Sequence, residues 1–356
     1  MFLEDLDQLE NRRLAILTEI KQKHLPVVMY GSAIYGSVVE RFLNENAISV
    51  AARFVDLNYQ PQAGDLYFRD VEEKFNKFCV VSGMMDFRRA FKAMDQRASK
   101  QVDGVYHFTL NPLYLDAVNH SFVKENADKL KAVYDMLSDD LSRQAYLGYI
   151  KAQISGNDQF LIDVCCPNQY FQEFMKLSND DIFVDAGAYI GDTLADFLEC
   201  AGGVCQKYYA FEPDAINFQK LERFVDEKRL PNVKLINCGL GSRQGVERFT
   251  QGVGQSSVSK ICENGNVAVQ IDTIDRSCPD ASFIKMDIEG AELEALEGAQ
   301  KTIRSNRPKL AICAYHKPSH LWEVPNYVKS LVPQYQIFFR QHKTFSTELV
   351  MYAVAS

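Results

Sequence analysis

Apolar positions change their spacing several times along the chain, and each change marks an element. Leu6, Leu9, Ile16 and Ile20 recur at mostly helical steps among charged residues, which predicts an amphipathic helix within residues 1–24. An apolar run at 27–30 predicts a strand, 31–36 a tight glycine turn and 37–43 a helix. Further strands are predicted at 52–56, ending on Asp56, and at 78–82. From 113 to 154 three- and four-residue steps return through Leu130, Val133, Tyr134, Leu137, Leu141 and Leu147, which predicts a helical bridge, with 155–158 as a linker. After Asp180 the pattern alternates. Strands are predicted at 182–185, 208–212, 233–237, 283–287 and 310–315, and helices at 191–198, 214–227, 291–303 and 319–331. Two extended runs, 335–340 and 348–354, joined by a polar turn, close the chain. Such alternation predicts a parallel sheet covered on both faces, with an antiparallel hairpin at its end.

The expected fold class is therefore α/β. A Rossmann-like domain at 157–356, mostly parallel with an antiparallel last strand, follows a smaller Rossmann-like α/β domain at 25–112 and the helical bridge at 113–156. Length supports more than one domain, since 356 residues exceed the usual reach of one core. In the N-terminal turn Ala33 stands at the middle glycine position of a GxGxxG pattern, so 31–36 either binds a nucleotide or only lets the helix pack on the strand.

Charge narrows the partners. Lys and Arg number 39 against 47 Asp and Glu, a net charge of −8 with no basic face evident, which disfavours a nucleic-acid polymer. Nine cysteines, an odd number with no CxxC pair, point to reduced thiols. The first residues lack the basic flank and apolar run of a secretory signal, and no eighteen consecutive residues are apolar. The expectation is a cytoplasmic protein without a membrane span.

Candidate chemistry gathers at the strand ends, where open α/β sheets bind their ligands. Asp185 opens a turn in which Gly187 and Gly191 let a ligand approach the backbone. Glu212, ending the second strand, suits two ribose hydroxyls as a bidentate acceptor, and Asp287 ends the fourth. Acids at strand ends also cap helices, and capping is the alternative role for Asp192 and Asp214. His316 follows the fifth strand at the open end of the sheet, where an imidazole serves either as a base at neutral pH or as a structural hydrogen-bond partner. Lys285 and Glu289 flank Asp287 and either polarise an acceptor or form ion pairs. Asp287, Glu289 and His316 are chemically suited to a divalent ion but lack a tight ligand spacing, and no metal is expected. The stretch 252–257, including Ser257, either covers the pocket or is a solvated turn; Tyr170 and Phe171 either line the acceptor site or pack.

Residues 169–353 resemble the FkbM family of S-adenosylmethionine-dependent methyltransferases. The motifs are Val184-Asp-Ala-Gly-Ala-Tyr-Ile-Gly-Asp-Thr193, Phe211-Glu-Pro-Asp214 and Phe283-Ile-Lys-Met-Asp-Ile-Glu-Gly-Ala-Glu-Leu-Glu-Ala-Leu-Glu-Gly298. Tyr315-His-Lys-Pro318 and Thr347-Glu-Leu-Val-Met-Tyr352 continue the match in order. Tyr189 departs from it, standing where many methyltransferases have glycine. The resemblance implies a class I methyltransferase fold, S-adenosylmethionine as cofactor, and methylation of a hydroxyl oxygen on a sugar, glycan or secondary metabolite. It assigns residues 185–193, with Asp185, Gly187, Ala188, Tyr189, Gly191, Asp192 and Thr193 among them, together with Glu212 and Asp287, to the cofactor side. Pro213 and Gly239 are expected to contact the cofactor with these. His316, Asp287, Lys285 and Glu289 are the expected catalytic set, and Tyr170, Ser257 and His316 the expected acceptor contacts.

Two other readings belong to different classes: a nicotinamide-dependent oxidoreductase, and a non-catalytic nucleotide- or sugar-binding protein using the N-terminal turn. No Tyr-x-x-x-Lys pair occurs, which removes the short-chain dehydrogenase form of the first. The expected partner is a small-molecule or glycan acceptor, with a nucleotide-linked sugar as one form and a homo-oligomer compatible with the pattern.

Overall fold

Val27–Tyr30 has four buried residues in a row, as a strand must when helices cover both faces of its sheet. In the computed structural model, which describes residues 4–200, 206–250, 260–261 and 267–355, this strand (β1) lies at the centre of the first of two units. That unit comprises Met1–Ala127, Leu147–Cys165 and Lys343–Thr347. Its sheet also contains β2 (Val50–Val55), β3 (Asp65–Tyr67), β4 (Phe78–Ser82) and β5 (Val102–Tyr106), all parallel, in the order β3-β2-β1-β4-β5. The apolar pattern missed β3 and β5. The first has only three residues, and the second carries Gly104 and is half-buried for most of its length.

The N-terminal helical pattern resolves into Glu4–Asp7 and Arg12–Lys23, the second capped by Asn11, whose side chain accepts the Arg13 N–H. Arg13 is buried and donates to the carbonyls of Thr109, Gln153 and Ile154. The last two lie in the final turn of the helix Asp140–Ser155, where carbonyls lack intrahelical partners. Of the stretch 113–154, helices cover His120–Glu125, Ala127–Met136 and Asp140–Ser155, while 113–119 is not helical.

The second unit comprises Asp128–Tyr146, Cys166–His342 and Glu348–Ser356. Its main strands are β6 (Ile182–Ala186), β7 (Lys207–Phe211) and β8 (Val233–Ile236). A small sheet follows, of β9 (Gly239–Leu240), β10 (Gly245–Thr250), β11 (Lys260–Ile261) and β12 (Val267–Asp272), built by the segment between the strands predicted at 233–237 and 283–287, where the apolar pattern predicts none. The main sheet resumes with β13 (Phe283–Met286), β14 (Lys309–Cys313), β15 (Tyr335–Gln341) and β16 (Leu349–Ala355). The order is β15-β16-β14-β13-β6-β7-β8, and β16 runs antiparallel to both neighbours, so the expected α/β fold with its terminal hairpin forms. The helix predicted at 291–303 divides into Glu292–Glu297 and Gln300–Asn306. At the break, Gly298 lies so close to the Gly241 carbonyl that a Cβ would come within 2.0 Å of it.

Phe283, Phe183 and Tyr208 are paired in register across β13, β6 and β7, and their rings stack, with centroids 4.6 and 4.8 Å apart. Two residues further along the same face, in the direction of the strand ends, stand Lys285 and Asp185. The apolar row thus gives way to a polar one as the strands reach their carboxyl ends. Among the described residues, no helix is long and apolar enough to cross a membrane.

Candidate active site

Strand order reverses between β6 and β13, which places the crevice of this sheet at their carboxyl ends. The loops leaving these two strands touch: a Cβ on Gly187, whose φ is +83°, would lie 2.0 Å from the carbonyl oxygen of Asp287. Only glycine fits there. Asp185 and Lys285, neighbours in the register, form a fully buried ion pair of 2.9 Å. Lys285 Nζ also donates to the Gly187 carbonyl at 2.8 Å, and Tyr208 Oη donates to Asp185 at 2.7 Å. Burial works against the Lys285 ammonium, but the charges of Asp185 and Asp287 outweigh it and hold its pKa above the ordinary value. Of the alternatives open to Lys285, its geometry matches the ion pair: it ties β13 to the glycine turn.

The turn is fastened from the other side by β7. Gly187 and Ala188 donate their N–H groups to the Phe211 carbonyl, and Tyr189 donates to Glu212 at 2.9 Å. Tyr189 has φ +49°, so the chain keeps a left-handed residue without glycine. Glu212 is buried, and its second oxygen accepts the Asp214 N–H at 2.8 Å. Burial pushes its carboxyl up to about 7, against the pull of those two donors. Each oxygen keeps a lone pair beyond its one backbone donor, so the acceptor capacity fits a pair of hydroxyls. Asp214 caps the helix Ala215–Lys228, accepting from Ile216 and Asn217. Asp192 is exposed in the first turn of Asp192–Cys200 and accepts from Thr193, which is buried. Pro213 follows Glu212, and Gly239 lies in β9, where a Cβ would meet Ile271 at 2.8 Å. Ser257 lies outside the described residues.

Asp287 is the hub of the other half. It accepts from Tyr170 Oη at 2.9 Å and Tyr315 Oη at 3.3 Å, and His316 Nε2 stands 3.3 Å away. Glu289, at φ +56°, is 3.9 Å from the same nitrogen. The opposite ring nitrogen, Nδ1, is 2.8 Å from Glu292, which sequence reasoning left out although it lies within the quoted Asp287-Ile-Glu-Gly-Ala-Glu motif. Glu292 also accepts from the Ile288 and Gly290 N–H groups and stands 3.4 Å from His320. It therefore holds the 287–291 loop from inside. Burial alone would lower the His316 pKa, yet Glu292 and Asp287 raise it well above 6.5. Burial would likewise raise Asp287 and Glu292, but the charge of His316 keeps both below the ordinary carboxylate range. Burial raises the pKa of Tyr170 and Tyr315, with Asp287 adding to it, so both remain donors at neutral pH.

Asp287, Cys313 and Glu348 bring donor atoms within 4.8 Å of one another, close enough to share a cation, and this set differs from Asp287, Glu289 and His316, the group weighed for a divalent ion in the sequence. A cavity of about 530 Å³ adjoins the loop, lined by Glu289, Gly290, His316 and Lys317 on one side and by Leu240 and Arg243 from the small sheet's segment on the other. In the first unit, Gly31 takes φ +101° and a Cβ on Gly36 would meet the Gly31 carbonyl at 2.8 Å, so both glycines serve the turn itself. Asp56 there accepts from Tyr30 Oη and pairs with Arg97.

Residues 185–336 match the Methyltransferase FkbM domain. Hexuronic acid methyltransferase AglP of Haloferax volcanii is 26% identical over 137 residues, 36% of this chain and 54% of the relative, so the match spans about half of that protein's length. The crystal structure of Methyltransferase FkbM from Methylobacillus flagellatus KT, 24% identical, superposes with a TM-score of 0.71 over 94% of this chain and 92% of the other. That likeness shows that the fold is shared over nearly the whole chain. Within the seven-stranded unit, residues 185–336 are thus similar to the Methyltransferase FkbM domain, in a fold shared with a solved methyltransferase.

Proposed function

We propose that this domain transfers a methyl group from S-adenosylmethionine to a hydroxyl oxygen of a sugar, with an acidic sugar as the first acceptor to try. The observation that carries the cofactor assignment is Glu212: a buried carboxylate, tied to the glycine turn through Tyr189, with acceptor capacity for two ribose hydroxyls. The acidic-sugar acceptor is suggested by the hexuronic acid relative and by the mixed cationic and acidic lining of the adjoining cavity.

When bound, S-adenosylmethionine would supply a sulfonium-borne methyl group for an acceptor oxygen, its sulfur keeping the electron pair of the broken carbon–sulfur bond. The chain's part is positioning and proton removal. The 187–191 turn and Glu212 would hold the cofactor, while Asp185 and Lys285 hold the turn. Asp287, Glu289 and His316 face the acceptor, and His316 takes the hydroxyl proton once it has lost its own. Since Glu292 and Asp287 favour the imidazolium, turnover should climb as pH rises above neutrality.

Titration calorimetry of the full chain with S-adenosylmethionine should show binding at one site, and incubation with uronic-acid oligosaccharides should add the mass of one methyl group. Absence of cofactor binding would sink the reading. Turnover that stays flat from neutral to alkaline pH would instead remove His316 from proton transfer and leave it a brace for the 287–292 loop.

A further inference from the structure

Tyr170 is buried at the Asp287 edge with φ +68°, a backbone conformation uncommon for a residue with a Cβ. Its N–H donates to Tyr352 Oη at 2.9 Å, and Tyr352 Oη lies 2.7 Å from His342 Nε2. His342 Nδ1 is 2.9 Å from the Cys166 carbonyl. A carbonyl can only accept, so Nδ1 carries the hydrogen and Nε2 accepts from the Tyr352 hydroxyl. The Tyr352 oxygen is then turned to receive the Tyr170 N–H. Every donor meets an acceptor along this line, and its far end is the Tyr170 hydroxyl on Asp287 at 2.9 Å. The Tyr170 ring also covers Lys285, whose Nζ lies 5.3 Å from the ring centre.

We infer that Tyr352 and His342 are positioning residues for the transfer: acting through the Tyr170 N–H, they keep the Tyr170 hydroxyl on Asp287 and so fix the carboxylate that faces the acceptor. This rests on the reading of the Asp287 edge as the reaction site. Neither residue touches that carboxylate, and each acts only through Tyr170.

The test joins kinetics to structure. Y170F should lower kcat by about tenfold or more, with S-adenosylmethionine affinity held within about threefold, and Y352F should do the same. The double variant should be no slower than Y170F, because both changes break one line. Additive losses would overturn the inference. Glutamine presents one donor and one acceptor, so H342Q should keep most of the rate while H342L behaves as Y352F; equal rates for the two would count against it. A crystal structure of Y352F, or of H342L should Y352F not fold, should show the Tyr170 hydroxyl beyond about 3.5 Å from Asp287. An unmoved Tyr170 would refute the inference whatever the activity. Failure of the wild-type protein to bind S-adenosylmethionine would instead strike the functional reading, and the structural comparison would still judge the hold on Tyr170.

Discussion

Glu212 receives the Tyr189 N–H, which fixes the glycine turn, and the Asp214 N–H, and on the proposed reading its remaining lone pairs would take the cofactor's ribose hydroxyls. Its folded pKa, about 7, stands above the unfolded value, so the empty site loses stability as pH rises from about 4.5 through about 7, when a buried charge must form. Hydroxyl donors favour that charged form. Cofactor affinity should accordingly be about tenfold weaker at pH 6 than at pH 8, as measured by calorimetry in both buffers. Glu212→Ala should weaken binding by about 10- to 100-fold and abolish this pH dependence, since hydrogen bonds to a charged group are worth about 1.5–3 kcal/mol. A pH dependence that survives the substitution would assign it to another group.

At the scale of elements, the site depends on how closely two loops approach. β6 and β13 are hydrogen-bonded neighbours, and their carboxyl ends bring Gly187 against the Asp287 backbone. Gly187→Ala would force a Cβ into a carbonyl oxygen and a side-chain-bearing residue into φ +83°, with rigid backbone on both sides. Chemical denaturation should show a loss of at least about 3 kcal/mol, or no folded protein. Gly245, with nothing within 4 Å of a Cβ, is the matching control, and Gly245→Ala should change stability by less than about 0.5 kcal/mol. Comparable losses at both positions would show that the close approach is not what limits substitution.

Chain order and spatial order part company at the scale of the molecule. Residues 128–146 belong to the unit of the seven-stranded sheet although they precede β6 by more than a linker's length. Asp139 pairs with the buried Arg340 of β15 at 2.6 Å, and Ser142 Oγ accepts from Arg340 and from the Phe339 N–H. Removing Asp139 would leave a buried guanidinium without its counter-charge. Asp139→Ala should cost about 3 kcal/mol in urea unfolding, and a chain shortened to begin at Asn157 should be less stable than one that begins at Asp128. Equal stability of the two shortened chains would mean that this segment contributes nothing to the sheet.

Local pattern was enough for the strands of the seven-stranded sheet, because alternating apolar runs and strand-end acids are written in consecutive residues, but not for the four short strands of the small sheet beside it. It also marked Asp185, Glu212 and Asp287, whose positions follow from where each strand stops. It missed β3 and β5, which are too short or too exposed to leave an apolar run, and it joined the two helices that Gly298 separates. The partners of the marked residues came only with the tertiary structure. Asp185 meets Lys285 across one hundred residues because β6 and β13 share a register. His316 meets Glu292 and Asp287 because two loops converge, and the raised pKa of its ring follows from that convergence rather than from its neighbours in sequence. Tyr170, read as lining or packing, reaches Asp287 only in the folded chain, held by Tyr352 from the last strand. Periodicity is a property of a few adjacent residues, whereas the charge on a buried ring depends on carboxylates that only long-range pairing brings beside it.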